Sequence, residues 1–282
     1  MTILLTGATG KTATPLAKLL LASNHPLLLA TRSGRVPAPF TGVPFDWFDS
    51  TTHRNPFDAA TANGSPIDRV YLVAPSTPDT LGVMRPFIEL ARDKGVRRFV
   101  LLSAGILEPG GEAMGKVHEY LSELPGVEFC ALRPSWFFDN WTTQYADRIK
   151  SHDDIVGAAK DGKIGWVSPQ DIADVAFKAL VDDKIQHDNP IIVGPELFTY
   201  DQIAAMLSEI VGRDIKHTRL SDDEFTQACV ERGMPLEYAR IMVALDGFIS
   251  LGAEERLFEK ADVVGKRRLR DFLETNQQVF IK

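Results

Sequence analysis

The sequence predicts an α/β protein built on a doubly wound, mostly parallel sheet, with a small and mostly helical C-terminal cap. Three observations lead to that class. Apolar runs of strand length alternate with helix-length amphipathic stretches through the first two-thirds of the chain. A glycine turn joins the first apolar run to the first helical stretch, and from Ser221 onward the pattern is helical and polar.

Taken in order, the strand-length runs are Ile3 to Leu5, Pro26 to Thr31, Arg69 to Ala74, Arg98 to Ser103 and Val127 to Arg133. They are continuous rather than alternating, as suits parallel strands covered on both faces. Between them lie helices predicted over Lys11 to Ala22, Thr80 to Lys94 closed by Gly95, and Lys116 to Leu124 closed by Pro125-Gly126. A further strand is predicted to end at Phe45-Asp-Trp-Phe-Asp. Lys163 to Val167 reads as a further strand, followed by Ser168-Pro-Gln-Asp, an N-cap and a helix start with proline in the first turn. Asp171 is the carboxylate that favours that helix's dipole. Pro190 to Val193 is the last strand, and Thr199-Tyr-Asp-Gln caps a helix running to Gly212. The domain reading is residues 1–150 for the sheet domain, with a strand and helix returning at about 163–194, and 195–282 for the cap.

Composition narrows the function classes. A chain of 282 residues with 44% hydrophobic content supports one large domain with a smaller appendage. Its net charge of -7, with no long run of Lys or Arg, argues against a nucleic-acid or anionic-membrane surface. Cys130 and Cys229 lack any CxxC or Cys/His spacing, so the expectation is two buried thiols, no disulfide framework and no metal. No apolar run approaches the roughly 20 residues that a membrane span requires, and no signal core precedes the glycine turn. A cytoplasmic location is expected, with the Asn63 and Asn140 sequons unmodified.

The stretch ILLTGATGKTATPLAKLL poses a choice between two phosphate turns. A nucleoside-triphosphate loop needs glycine five positions before Gly10-Lys11-Thr12, and that position is Leu5. A dinucleotide turn needs glycine at the strand end, a second beside the pyrophosphate and a small third residue; Gly7, Gly10 and Ala13 supply them. The dinucleotide reading stands, with the pyrophosphate at the helix N-terminus. Sites selective for the unphosphorylated coenzyme place Asp or Glu at the end of the second strand, whereas this chain has Thr31-Arg32-Ser33. A guanidinium pairs bidentately with a 2′-phosphate, so Arg32, with Ser33 and Lys11 as further donors, predicts NADP(H). Asp46 or Trp47 would lie near the adenine, and Trp47 reads equally well as core.

The segments TGATGKT, ATRS, FDWFD, FVLLSA, AMGKVHEYL, LRPSWFFDNW and VSPQDIADVA then occur in the order found in the NmrA-like atypical short-chain dehydrogenases. Over nearly the whole chain the sequence most resembles the fungal ergot-alkaloid reductases of that group, the festuclavine and agroclavine dehydrogenases. The resemblance implies a Rossmann domain holding NADP(H) and a substrate pocket under the cap. Carried over by motif, Gly7, Thr9, Gly10, Lys11 and Thr12 line the phosphates, and Arg32 and Ser33 take the 2′-phosphate. Ala74 and Pro75 fall at the adenosine ribose, and Ser103 with Lys116 on the nicotinamide side.

Ordinary short-chain dehydrogenases use Tyr-x-x-x-Lys, but Glu112 stands four residues before Lys116. The phenolic proton donor of a ketoreductase is missing. An iminium already carries its charge and needs no protonation before hydride attack, so the departure fits C=N reduction. Lys116 is the expected catalytic residue, through the nicotinamide ribose; Glu112 either stabilises a cation or is a solvated loop acid, and His118 reads as a surface histidine. After the fifth strand, Trp136, Phe137, Phe138 and Trp141, with Trp166, supply an aromatic wall suited to a flat cationic indole, or else core packing, and Asn140 among them is a further substrate-binding candidate. The expected function is NADPH-dependent reduction of an imine or iminium in a small indole alkaloid. A cofactor-dependent cyclase and a non-catalytic dinucleotide sensor of the NmrA type are the alternatives.

Overall fold

The computed structural model describes every residue, Met1–Lys282. The chain runs β1 (Thr2–Leu5), α1 (Ala13–Ala22), β2 (Leu27–Thr31), β3 (Gly42–Pro44), α2 (Asn55–Ala62), β4 (Ile67–Val73), α3 (Thr80–Asp93), β5 (Arg98–Leu102), α4 (Met114–Glu123) and β6 (Glu128–Pro134). It continues with α5 (Ala146–His152), β7 (Asp154–Gly157), α6 (Pro169–Val181), β8 (Ile191–Val193), α7 (Tyr200–Val211) and β9 (Lys216–Arg219). The last elements are α8 (Asp222–Glu231), α9 (Leu236–Ser250), α10 (Ala253–Glu259), β10 (Val263–Val264) and α11 (Leu269–Thr275). Two compact units result: Met1–Pro134 with Pro169–Pro190, and Ser135–Ser168 with Ile191–Lys282.

In the first unit six strands pair in the order β3-β2-β1-β4-β5-β6, and each neighbouring pair is parallel. This is the doubly wound order of dinucleotide-binding sheets, with its switch point between β1 and β4. Strand pleating sends alternate side chains to opposite faces. Leu4, Leu28, Val70, Leu72, Phe99 and Leu101 join Phe57 of α2, Met84, Phe87 and Ile88 of α3, and Val117 and Leu121 of α4 in one buried cluster. Helix α1 packs beside α6, burying Ala13, Leu16, Ala17 and Leu20, the spacing of a single helical stripe.

The second unit is mostly helical, with β7 parallel to β9 and β8 parallel to β10. Its core gathers Phe138, Trp141, Tyr145, Ile149, Tyr200, Ile203, Leu207, Leu273 and Phe280. The sequence reading kept residues 135–150 with the sheet domain; the structure groups 135–168 with the second unit, because these aromatic side chains complete that core. The capping box expected at Thr199 forms with Gln202, and a second joins Ser221 to Glu224. The strand expected over Lys163 to Val167 does not form as a ladder. Ile164 bridges Phe198 and Val167 bridges Phe137, two single bridges to different segments on either side of Gly165. Both cysteines are buried, as expected.

Candidate active site

The glycine turn is held from β4. Thr6 Oγ1 donates to the Tyr71 carbonyl at 3.0 Å and accepts the Val73 N–H at 2.8 Å. Gly7 has φ +57°, and a Cβ there would stand 2.8 Å from the Val73 Cβ. A Cβ at Gly10 would stand 2.9 Å from the Gly7 carbonyl oxygen. Neither position admits a side chain without displacing its neighbour. Thr12 occupies the N-cap of α1 yet makes no capping bond; its hydroxyl instead accepts from the buried Tyr71 phenol at 2.9 Å. The first turn of α1 therefore has no side-chain cap, which leaves its dipole and backbone donors to an incoming anion. Gly7, Thr9 and Lys11 are exposed on this turn, and Gly10 is half-buried.

Arg32 and Ser33 follow β2 and are exposed. Arg32 makes no ion pair or hydrogen bond within the chain, while Ser33 Oγ accepts the Arg35 N–H at 3.2 Å. Asp46 is half-buried and spends one carboxylate oxygen on the Phe48 N–H at 3.0 Å. Trp47 donates its indole N–H to the Val73 carbonyl at 3.1 Å and meets Phe45 and Phe87 edge-on at 4.9 and 5.4 Å. Part of its surface stays open, so the ring belongs to the rim of the core cluster. Ala74 and Pro75, just past β4, are half-buried.

Ser103 lies immediately after β5, buried, and its hydroxyl has no partner within the chain. Such an orphaned donor at the carboxyl end of a parallel strand is a vacancy that a ligand can satisfy. Lys116 sits in the first turn of α4, with its Nζ 4.0 Å from Glu112 Oε2; their side chains are 53% and 91% exposed. At that exposure the pair is weak, and Glu112 is placed as a solvated loop acid. The loop between β5 and α4 is tied down by Arg133, whose buried guanidinium donates to the Gly105 carbonyl at 2.8 Å and to Glu108 Oε1 at 2.6 Å. His118 corrects the sequence reading: it faces the core, only 1% exposed, because position 118 falls on the α4 stripe with Val117 and Leu121. Burial, aided by the Arg133 charge, lowers its pKa.

In the second unit the aromatic residues separate into two groups. Trp136, Phe137 and Asn140 are half-buried, so each retains open surface. Trp141 and Trp166 are fully buried, their ring centroids 4.9 Å apart, and Tyr145 stacks on Trp141 at 4.5 Å. This inner group packs the core behind Trp136, which touches Trp166 at 6.0 Å. The Trp136 to Phe138 segment is fixed by Val167, whose N–H donates to the Trp136 carbonyl at 2.8 Å and whose carbonyl accepts the Phe138 N–H at 3.0 Å. Sequence reasoning missed Glu254. Its side chain, 2% exposed, accepts a hydrogen bond from Ser135 Oγ at 2.6 Å, and burial raises its pKa. No local signal marks it, since it lies 119 residues from Ser135.

No family model matches the chain. It is 40% identical over 287 aligned residues to agroclavine dehydrogenase of Claviceps fusiformis, covering 100% of this chain and 99% of that one. Festuclavine synthase I of Penicillium roqueforti is 40% identical over 287 aligned residues, with both chains covered in full. The chain belongs to the agroclavine/festuclavine dehydrogenase family. As a member of this dehydrogenase family it is an oxidoreductase of the atypical short-chain type. The shared fold extends to Citrobacter sp. triphenylmethane reductase, solved in complex with NADP(H), at TM-score 0.77 and 19% identity over 98% of this chain and 99% of that one. No helix of this dehydrogenase-family chain is long and apolar enough to cross a membrane.

Proposed function

We propose that the protein is an NADPH-dependent reductase of an imine or iminium in an indole-alkaloid-type substrate. The observation that carries this reading is where its tyrosines stand. Position 112 holds an exposed glutamate. Of the five tyrosines, Tyr71 is committed to Thr12, Tyr145 and Tyr200 to each other at 2.8 Å, and Tyr120 to Glu89 at 3.1 Å. Burial pushes the Tyr71, Tyr145 and Tyr200 phenols well above their ordinary range, so these groups hold their protons. Tyr238 is exposed on α9. A carbonyl reduction would lack its usual acid, whereas a C=N⁺ carbon accepts hydride with no proton transfer.

The residues fit the coenzyme. The side-chain-free cradle at Gly7 and Gly10, the uncapped start of α1 and the unpaired Arg32 match a pyrophosphate and a 2′-phosphate. Bound NADPH supplies the hydride, and an iminium that takes it becomes a neutral amine. Ser103 and Lys116 hold the nicotinamide side in this reading, while Trp136 and Phe137 offer π faces to a flat cation, with Asn140 as a polar contact beside them. Orientation and a water-poor setting then supply the rate.

The test is product analysis of prenylated-indole iminium salts with NADPH, with NADP⁺ and with no cofactor. Amine formed in step with NADPH loss supports the reading. A rearranged product without NADPH loss replaces it with the cyclase, and coenzyme binding without turnover of any member replaces it with the sensor.

A further inference from the structure

Helix α9 presents two unlike faces. Ala239, Asp246 and Ile249 are buried, and Met242 and Val243 pack on the cluster that holds Phe225 and Cys229 of α8. On the opposite face Ile241, Ala244, Phe248 and the C-cap Leu251 are exposed, Ile241 and Phe248 at 54% each and Leu251 at 73%. Their spacing of three, four and three residues is the seam of a two-helix packing. Single exposed apolar residues are ordinary, but a continuous row along one helix marks a contact surface. Between Ile241 and Ala253 the only charged side chain is Asp246, which is buried. Gly247 stands beside the row, inside the helix, where glycine is destabilising. A Cβ there would meet nothing within 4 Å, and the backbone is not left-handed, so no contact within the chain accounts for this glycine. A close approach from outside does.

We propose that the outward face of α9 is a self-association surface, occupied by the same face of a second copy packed antiparallel about a two-fold axis. Two-fold packing needs a surface complementary to itself. In the antiparallel register centred on position 246, Phe248 of each copy lies over the partner's Ala244, and Ile241 meets the partner's Leu251. A large side chain thus faces a small one at both central contacts, as knobs in holes require. Taking roughly 200 Å² for a fully exposed large side chain, Leu236, Ile241, Phe248 and Leu251 offer about 450 Å² at their observed exposures. Two copies then bury about 900 Å², and Ala244, Leu245 and Gly247 bring the total to about 1,000 Å², the lower bound of a specific interface. The expected complex is therefore a reversible dimer of micromolar affinity. A lipid surface is a poorer match, because membrane-surface helices carry several Lys and Arg on the polar face. Helix α9 has Arg240 alone, and the neighbouring α8 carries Asp222, Asp223, Glu224 and Glu231. Nothing in this packing depends on the reaction proposed above.

Analytical ultracentrifugation of the full chain from about 1 to about 200 µM provides the test. The wild type is expected to dimerise reversibly with a Kd of about 10 µM. F248D is expected to stay monomeric throughout, with an unchanged circular dichroism spectrum. If F248D loses its helical signal, L251D, at the most exposed position of the row, takes its place. Swapping the sizes tests the register. A244F sets two rings against each other and F248A leaves a gap, so each alone is expected to weaken the dimer about tenfold or more. The double variant A244F/F248A again sets large against small and is expected to return to within about threefold of the wild type. A wild type that is monomeric at about 200 µM overturns the proposal, and its co-sedimentation with phosphatidylcholine/phosphatidylserine vesicles would then assign the face to lipid. A dimer untouched by the folded aspartate variant, or a double variant no stronger than the single ones, overturns it as well.

Discussion

The Tyr71 phenol donates to the Thr12 hydroxyl at 2.9 Å beneath the glycine turn, and both residues are buried. Tyr71 belongs to β4 and Thr12 to the N-cap of α1, so one bond crosses the switch point of the sheet. It diverts the hydroxyl from the cap it would otherwise make. Tyr71→Phe is expected to cost about 1 kcal/mol of stability, the usual net worth of a buried hydrogen bond. The released Thr12 hydroxyl can then cap α1 and compete with the phosphate. NADPH affinity should fall several-fold, and denaturant unfolding together with fluorescence titration of NADPH checks both effects. Lower stability with unchanged affinity would show that the bond serves the fold alone.

Arg32 is exposed, unpaired and followed by no carboxylate through Val36. Arg32→Asp is expected to weaken NADPH by about a hundredfold, because a charge-assisted pair worth about 1.5–3 kcal/mol is replaced by repulsion. NADH, which lacks the phosphate, should change by less than a few-fold. Equal losses in parallel titrations would remove the 2′-phosphate role.

Lys116 is half exposed and its pairing with Glu112 spans 4.0 Å, so its removal carries little structural cost. Lys116→Ala is expected to leave the melting temperature within about a degree while lowering kcat/KM at least tenfold. Turnover equal to the wild type would strike Lys116 from the catalytic assignment.

Asp246 of α9 is buried and accepts the Ala158 N–H at 2.7 Å. Desolvation outweighs the backbone hydrogen bonding and pushes its pKa from 3.8 up to about 6. The raised value means that the folded state binds the proton more tightly than the unfolded one, so stability falls as pH rises from about 4 to about 6. Above that window the ionised group costs about 3 kcal/mol at most, from a shift of roughly two pK units. Asp246→Asn removes the titration. Its melting temperature relative to the wild type should therefore be higher at pH about 7.5 than at pH about 4.5. A difference that stays constant or reverses with pH would refute the assignment.

The sheet was legible because its evidence is local. Continuous apolar runs such as Leu27–Thr31 and Arg98–Leu102 need no distant partner to declare a buried strand, and the Ala13, Leu16, Ala17, Leu20 stripe declares its helix by period alone. The turn at Gly7 and Gly10 and the absence of an acid after Thr31 were likewise visible, since they depend on spacing along one segment. His118 was misread because a histidine is polar by type, although its spacing from Val117 and Leu121 puts it on the buried stripe of α4. The strand expected over Lys163 to Val167 failed because each of its bridges needs a different partner segment.

By itself the amino-acid sequence determined the parallel order of strand and helix, the dinucleotide turn, the expectation of a phosphorylated coenzyme and the missing tyrosine at position 112. Tertiary structure alone decided which aromatic residues are core and which keep open surface, separating Trp141 and Trp166 from Trp136 and Phe137. It alone joined Glu254 to Ser135 and Tyr71 to Thr12, pairs separated by 119 and 59 residues. Burial and long-range hydrogen bonding are properties of neighbours brought together by folding, and a linear pattern records only those neighbours that the chain supplies next door.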